Sequence, residues 1–369
     1  MRLLISGGGT AGHIYPLLAV VEKIKQKITN ERLEILYLGS KKGIEEKIMK
    51  NKNIPSIFIH SGKWRRYWPK WLPALLLNFR DLFLIILGFF EAFFIMVKFH
   101  PDILFAKGGY VTLPVVFAAK ICGIPIISHE SDVVMGLSNR ITAKMSEMVC
   151  VSFPLSYYPH LPQKKLVYTG NPIREGFYPP KIKAKTKKSF PVVLVIGGSQ
   201  GAQRINETVT AIVPQLVERI KFIHITGDNK AEQAKKVRDS LPPSFKKNYL
   251  IYEFVDQELP DLMREADLVI SRAGANVLAE IAVCQRPSIL IPLKNAAANH
   301  QEKNAQIFSQ RQAAVVIRED NLSEKKLLNT ILELLNNKKR LSKMQQNVIS
   351  LAKPEAAERI AEEILNLRI

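Results

Sequence analysis

The chain has 369 residues and carries 53 Lys and Arg against 33 Asp and Glu, a formal charge of +20. Its length suggests two domains, and a hydrophobic content of 47% excludes an intrinsically disordered chain. The charge predicts an anionic partner, namely phosphorylated substrates or an acidic membrane surface. Nucleic acid is not expected, because the basic residues are scattered in short groups without a zinc-finger, RNP-type or basic heptad pattern.

Short apolar runs alternate with helix-like segments along the whole chain. The predicted strands are Leu3–Ser6, Leu33–Leu38, Ser56–His60, Ile103–Ala106, Ile124–Ser128 and Met148–Val151 in the first half, and Val192–Ile196, Phe222–Thr226, Leu250–Phe254, Leu268–Ser271, Ser288–Pro292 and Ala314–Ile317 in the second. This alternation predicts right-handed β-α-β units and parallel sheets. We expect an α/β protein with two Rossmann-like domains that face a central cleft.

The segment 170–189, rich in Pro, Gly and Lys, indicates where the two domains meet. The expected division is an N-terminal domain over 1–169, a linker over 170–190, a C-terminal domain over 191–352, and a last helix over 353–369 that packs back on the N-terminal domain. Three widely spaced cysteines in apolar stretches, Cys122, Cys150 and Cys284, predict buried thiols in a reducing compartment. The apolar run before Gly7 is too short for a secretory signal, so the cytosol is expected.

One aromatic and basic segment, residues 64–83, departs from this alternation. Apolar residues at helical spacing, surrounded by lysines and arginines, predict a helix that lies in the headgroup region of an anionic membrane. The side chains expected to touch the membrane are Trp68, Trp71, Leu72, Leu75, Leu76 and Phe79. The strongly apolar stretch Leu82–Val97 overlaps the end of this segment. Its 16 residues are too few to span a bilayer, and they are expected to be buried against the first sheet.

Two glycine turns, each between an apolar run and a helical pattern, carry the first chemical signal. Gly7, Gly9 and Gly12 match the G-x-G-x-x-G pattern of dinucleotide sites, but the second strand ends at Tyr37–Lys42 without the acidic residue that would bind a ribose. A dinucleotide is therefore not favoured. His13 follows this turn at a helix start, where a neutral imidazole is placed either to accept a proton from a sugar hydroxyl or to hold the loop or a phosphate.

In the second half, a turn at Gly197 and the segment Ser271–Glu280 repeat the order of strand, small-residue turn and helix. Glu280 is placed to accept hydrogen bonds from a ribose diol, while the preceding amides face a diphosphate. Gln301, in the polar segment Asn299–Ala305, follows another strand and could bridge ribose and phosphate.

The ordered set of motifs resembles the MurG family over essentially the whole chain. The matching motifs are Gly7–Pro16, Lys107–Val111, His129–Glu130, Gly170–Arg174, Gly197–Ala202, Arg272–Ala275 with Glu280, and His300–Ala305. The resemblance implies a GT-B fold and a peripheral enzyme on the cytoplasmic face of the cell membrane. Its expected reaction is inverting transfer of N-acetylglucosamine from UDP-GlcNAc to the C4 hydroxyl of the muramyl sugar of lipid I, which gives lipid II. The alternatives are a related transferase acting on a diacylglycerol-type lipid, or a basic membrane-surface protein with a degenerate site.

The resemblance also implies roles for individual residues. Donor binding is expected at Arg174, Ser199, Val255, Ala275, Asn276, Val277, Leu278, Ala279, Glu280 and Gln301, and acceptor binding at Thr10, Ala11, Gly12, Gly108, Gly109 and Glu130. His13 is the first candidate for the base. Asp132 is a second candidate, in a Ser131-Asp132 pair where the family usually has Gln-Asn. No D-x-D cluster is present, so neither a metal nor another cofactor is expected.

Overall fold

The computed structural model describes residues 1–9, 11–29, 32–41, 45–62, 71–177, 190–197 and 201–367, without the side chains of 11, 71–76 and 297. Within these residues the chain forms two compact units. Unit 1 comprises Met1–Arg174 together with Glu355–Ile369, and unit 2 comprises Glu175–Pro354. Each unit is built around one parallel sheet.

Unit 1 contains a seven-stranded sheet in the order β3-β2-β1-β4-β5-β6-β7. Its strands are β1 (Arg2–Gly7), β2 (Glu34–Ser40), β3 (Ser56–Ile59), β4 (Ile103–Gly108), β5 (Ile126–Glu130), β6 (Met148–Val151) and β7 (Leu166–Tyr168). The central strands are buried along their length, which explains why they are continuous apolar runs.

Six helices accompany this sheet within the described residues. They are α1 (Ala11–Lys27), α2 (Glu45–Asn51), α3 (Trp71–Phe99), α4 (Thr112–Ile121), α5 (Leu137–Met145) and, from the far end of the chain, α14 (Ala356–Leu367). One face of α14 places Ala357, Ile360 and Ile364 in the same core as Leu17 of α1. At the surface, Lys27 Nζ lies 3.0 Å from Glu358 Oε1 and 2.9 Å from Glu362 Oε1.

Unit 2 contains a six-stranded parallel sheet in the order β10-β9-β8-β11-β12-β13. Its strands are β8 (Val192–Ile196), β9 (Lys221–Ile225), β10 (Tyr249–Tyr252), β11 (Leu268–Ser271), β12 (Ser288–Leu290) and β13 (Ala314–Val316). The helices are α6 (Gln203–Leu216), α7 (Glu232–Ser240), α8 (Pro243–Lys246), α9 (Leu259–Glu265), α10 (Ala275–Val283), α11 (His300–Gln310), α12 (Glu324–Asn336) and α13 (Lys338–Ile349).

All twelve predicted strands are present, with ends that differ by up to two residues. The edge strand β7 was not predicted, because Leu166–Tyr168 is three residues long and gives little periodic signal. Of the cysteines, Cys150 and Cys284 are buried, whereas Cys122 is partly exposed.

The prediction that Leu82–Val97 is buried against the first sheet is wrong for one face of α3, the helix that contains this stretch. Only 17% of the most apolar window of Leu77–Phe99 is buried. Exposed apolar side chains recur three or four residues apart along it, and together they are named the α3 apolar face: Phe79, Phe83, Ile86, Phe90, Phe94 and Val97.

Candidate active site

In both sheets the order of the strands reverses beside the strand that comes first in the chain, which is β1 in unit 1 and β8 in unit 2. Ligands of open α/β sheets bind beyond the carboxyl ends of the strands at such switch points. The predicted site residues that the structure describes lie at or after the carboxyl ends of β1, β4, β5 and β7 in unit 1, and of β10, β11 and β12 in unit 2.

Two glycine turns of unit 1 touch at the switch point. The Gly8 amide donates to the Gly108 carbonyl oxygen over 3.1 Å. Gly108 and Gly109 have φ values of +106° and +98°, and a side chain on Gly109 would collide with the carbonyl of Gly8. Both positions therefore require glycine, because the backbone conformation and the close packing leave no room for a side chain.

Glu45, which the sequence analysis missed, supports the first glycine turn. It is fully buried, and its Oε1 accepts hydrogen bonds from the Gly9 amide (3.2 Å) and the Ser40 hydroxyl (2.9 Å). Its Oε2 is buried without a hydrogen-bond partner among the described residues. A carboxylate does therefore follow β2, as it does in a dinucleotide site. Here it binds the backbone of the glycine turn, whereas in a dinucleotide site it would bind the ribose.

His13 lies in the first turn of α1 and is partly exposed. Desolvation lowers its pKa to about 4; the Lys107 charge lowers it further, and the Asp132 charge opposes the shift. The imidazole is therefore neutral near pH 7. Because it makes no hydrogen bond within the described part of the chain, it is available to accept a proton.

A buried polar cluster lies at the carboxyl ends of β4 and β5. Lys107 is 1% exposed, and its ammonium donates to His129 Nδ1 over 2.7 Å and to the Ser131 hydroxyl. Burial lowers the pKa of Lys107 to about 8, while Glu130 and Asp132 raise it. The cluster therefore combines a cation with two carboxylates at the carboxyl edge of the sheet.

Glu130, which is expected to bind the acceptor, braces this loop in the structure. It is buried, Oε1 accepts from the Asp132 amide over 2.9 Å, and Oε2 accepts from Asn139 Nδ2 over 2.8 Å. Burial and the neighbouring Asp132 raise the pKa of Glu130 to about 7. Asp132 itself is partly exposed, and its carbonyl accepts from the Tyr158 hydroxyl over 3.0 Å.

In unit 2, α10 begins at Ala275, directly after a turn at Gly274. Glu280 lies on this helix and is buried, so it is not a solvated surface carboxylate. Asn276, Val277 and Ala279 are partly exposed, whereas Leu278 is 1% exposed and has little side-chain surface to offer a ligand.

The other expected donor residues lie on separate strand ends. Val255 is buried just after β10, and Gln301 in the first turn of α11 accepts a hydrogen bond at Oε1 from the Leu293 amide over 3.0 Å. The Gln301 carboxamide nitrogen is thus the end that can face a ligand. Arg174 ends the first segment of unit 1, and its guanidinium lies 5.0 Å from the ring centroid of Tyr15.

Several predicted positions fall outside what the structure describes. Thr10, Trp68 and Ser199 are not described, and Ala11, Trp71, Leu72, Leu75 and Leu76 are placed in helices without their side chains. Gly12 follows Ala11 in α1. In the described part of the chain, no three His, Cys, Asp or Glu side chains form a group that could hold a metal ion.

The inner face of α3 is bound to the end of β3. Glu91 accepts from the His60 amide over 2.6 Å, its Oε1 lies 2.7 Å from His60 Nδ1, and Lys41 Nζ lies 3.2 Å from the same oxygen. A side chain on Gly88 would collide with the His60 backbone. Among the described helices, only Leu77–Phe99 is long and apolar enough to cross a membrane by length and composition.

Two units, each with a parallel sheet whose strand order reverses beside its first strand, form the architecture of the GT-B class of glycosyltransferases. The chain matches the glycosyltransferase family 28 N-terminal domain over residues 3–151 and the family's C-terminal domain over 192–360. A UDP-N-acetylglucosamine–N-acetylmuramyl-(pentapeptide) pyrophosphoryl-undecaprenol N-acetylglucosamine transferase of Clostridium perfringens is 39% identical, with 94% of each chain covered. A transferase of the same name from Clostridium botulinum is 40% identical, with 91% of this chain and 92% of the relative covered.

The crystal structure of Acinetobacter baumannii MurG is also similar, with a TM-score of 0.76, 26% identity and 99% of both chains covered. The chain therefore belongs to the MurG family of N-acetylglucosamine transferases within glycosyltransferase family 28.

Proposed function

We propose that this protein transfers N-acetylglucosamine from UDP-GlcNAc to the C4 hydroxyl of the muramyl sugar of lipid I, with inversion at the anomeric carbon. The observation that carries this proposal is the similarity, over more than nine tenths of the chain, to transferases whose names specify that donor sugar and acceptor. Those names favour a pyrophosphoryl-lipid acceptor over a diacylglycerol-type lipid. The same names favour a transferase over a basic membrane-surface protein with a degenerate site.

The acceptor is assigned to the glycine turns of unit 1. Gly109 is partly exposed at the end of β4, and His13 offers a neutral imidazole at the same edge of the sheet. In direct displacement, the C4 hydroxyl oxygen forms a bond to the anomeric carbon while the bond from that carbon to the UDP oxygen breaks. His13 accepts the hydroxyl proton, a role that requires its unprotonated form.

The donor is assigned to unit 2. Glu280 binds the ribose hydroxyls, Gln301 contributes its carboxamide nitrogen, and the amides that begin α10 face the diphosphate. These amides stabilise the negative charge that develops on the departing UDP, so the step needs no metal ion. Val255 contributes apolar surface for the uracil ring. Arg174 is assigned to the diphosphate because its guanidinium can pair with phosphate oxygens.

The α3 apolar face is assigned to the membrane that carries the lipid acceptor. Four of its six side chains are phenylalanines, and Lys98 is exposed at its end. Because Glu91 and Gly88 bind the opposite face to β3, a crossing helix would draw the sheet of unit 1 into the bilayer. The helix therefore lies in the interface plane, on the cytoplasmic side where UDP-GlcNAc is available.

The test is transfer of labelled sugar from UDP-GlcNAc to a water-soluble lipid I analogue or to diacylglycerol, with each acceptor assayed both with and without EDTA. We expect product only with the lipid I analogue, at a rate that EDTA does not change. Transfer only to diacylglycerol, or none by folded protein that binds UDP, would refute the proposed acceptor. Loss of activity with EDTA, restored by added divalent cation, would refute the metal-free step.

A further inference from the structure

The buried ammonium of Lys107 is the least expected feature of unit 1. Lysine side chains are seldom fully buried, because removing an unpaired charge from water costs several kcal/mol. Lys107 lies at the carboxyl end of β4, immediately before the Gly108–Gly109 turn. A charge at this depth persists only with partners that satisfy it.

Those partners define a chain of oriented hydrogen bonds. Because an ammonium only donates, His129 Nδ1 accepts from Lys107, and the proton of the neutral ring resides on Nε2, which donates to the Gly170 carbonyl over 3.0 Å. The Ser131 hydroxyl accepts from Lys107 and donates to Asn171 Oδ1 over 2.8 Å. Lys107 thus connects β4, the end of β5 and the segment 170–171.

The same ammonium balances the charge of the loop that follows β5. Glu130 and Asp132 both act on Lys107 electrostatically, and Asp132 and Lys107 both act on His13. The loop follows the buried Glu130 with a second carboxylate, that of Asp132. A buried cation beside Ser131 is suited to hold that carboxylate near an anionic acceptor.

We propose that Lys107 is a positioning residue for sugar transfer, which fixes the Ser131–Asp132 segment relative to His13 by holding His129 and Ser131. The inference rests on the proposed function, because its readout is the transfer rate. Lys107 does not touch the substrates in this account. It acts through the loop and through its charge.

The test is a double-mutant cycle of Lys107→Met and Asp132→Asn, assayed with the lipid I analogue. Lys107→Met alone should lower kcat about 10-fold or more, with the KM for UDP-GlcNAc within about twofold of wild type. In the Asp132→Asn background the same change should cost about threefold or less, because the Asp132 carboxylate on which the Lys107 charge acts is gone. An equal loss in both backgrounds, or a Lys107→Met enzyme as fast as wild type, would overturn the proposal.

The pH profile provides a readout that a packing role would not move. The charged groups acting on His13 are Lys107 from β4 and Asp132 after β5, with neutral His129 beside them. Lys107→Met should therefore shift the acid limb of kcat/KM to higher pH, and Asp132→Asn should shift it to lower pH. Shifts in the same direction, or none, would contradict the inference.

Ser131→Ala keeps the test decisive if Lys107→Met fails to fold. This variant removes the hydroxyl that receives the Lys107 bond without burying a new charge, and we expect a kcat about 3- to 10-fold below wild type. Wild-type kcat in Ser131→Ala would refute the positioning role. An inactive wild-type enzyme would refute the proposed function instead, so the two failures are distinguishable.

Discussion

Substituting Phe83→Ser together with Phe94→Ser should release the protein from anionic membranes without unfolding it. The two side chains are 65% and 67% exposed, on the α3 apolar face. Since neither contributes much to the core, the free energy of unfolding should change by about 0.5 kcal/mol or less per site. Any loss of membrane binding would therefore arise from the surface itself.

The expected size of the effect follows from these exposures. Complete transfer of a phenylalanine side chain from water is worth about 1.5 to 3 kcal/mol, so two thirds of one is worth about 1 to 2 kcal/mol. The pair then contributes about 2 to 4 kcal/mol to membrane binding. At about 1.4 kcal/mol per factor of ten, the double variant should partition about 30- to 1000-fold more weakly.

The assay is co-sedimentation with vesicles that contain phosphatidylglycerol, at fixed salt, across a range of lipid concentrations. Phe254→Ser is the matched control, because Phe254 is 57% exposed but belongs to unit 2. The control should bind as wild type does. If the double variant also binds as wild type does, the α3 apolar face is not the docking surface.

Three further variants test the active-site assignments. His13→Asn should lower kcat about 10²- to 10⁴-fold without changing UDP binding. In the wild-type enzyme, kcat/KM should stay level as the pH falls through 6.5. It should decline only towards pH 4, because His13 is protonated and lost as a base below its lowered pKa of about 4. A decline centred near pH 6.5, or a fast His13→Asn enzyme, would remove His13 as base. Glu45→Ala should raise the KM for the acceptor about 10-fold without changing the KM for UDP-GlcNAc. Glu45→Gln keeps an oxygen that accepts from the Gly9 amide, so its acceptor KM should stay near that of wild type. Equal acceptor KM values for the two variants would exclude a role for the contact between Glu45 and the Gly9 amide. Gly109→Ala should destabilise unit 1 by about 2 kcal/mol or more in urea unfolding, because the new side chain would collide with the Gly8 carbonyl. Gly136→Ala is the control, at an open position with a φ of −64°, and should destabilise unit 1 by about 0.5 kcal/mol or less. Similar losses for the two variants would contradict the close approach of Gly109 to Gly8.

The parallel sheets could be predicted from the sequence because buried parallel strands are continuous apolar runs. Strands such as Val192–Ile196 are buried at every position, so local composition alone reveals them. The three-residue strand β7 lacks such a run. It is a strand because it pairs with β6 at the sheet edge, and pairing is not encoded in three residues.

The site was predicted less completely, because its supporting contacts join residues far apart in the chain. Glu45 contacts Gly9 across 36 positions, and Lys107 contacts Ser131 across 24. A motif can mark Glu130 as important, but only its two hydrogen bonds show that it braces a loop. The same limit applies to α3, where composition predicts an apolar helix but not which face meets the sheet.

The central claim is tested most directly by the structure of the product made from UDP-GlcNAc and the lipid I analogue. Mass spectrometry should show the addition of one N-acetylglucosamine, and NMR should show a β linkage to the C4 oxygen of the muramyl sugar. An α linkage would contradict inversion. A sugar attached elsewhere, or an unmodified analogue after incubation with folded enzyme, would contradict the proposed reaction.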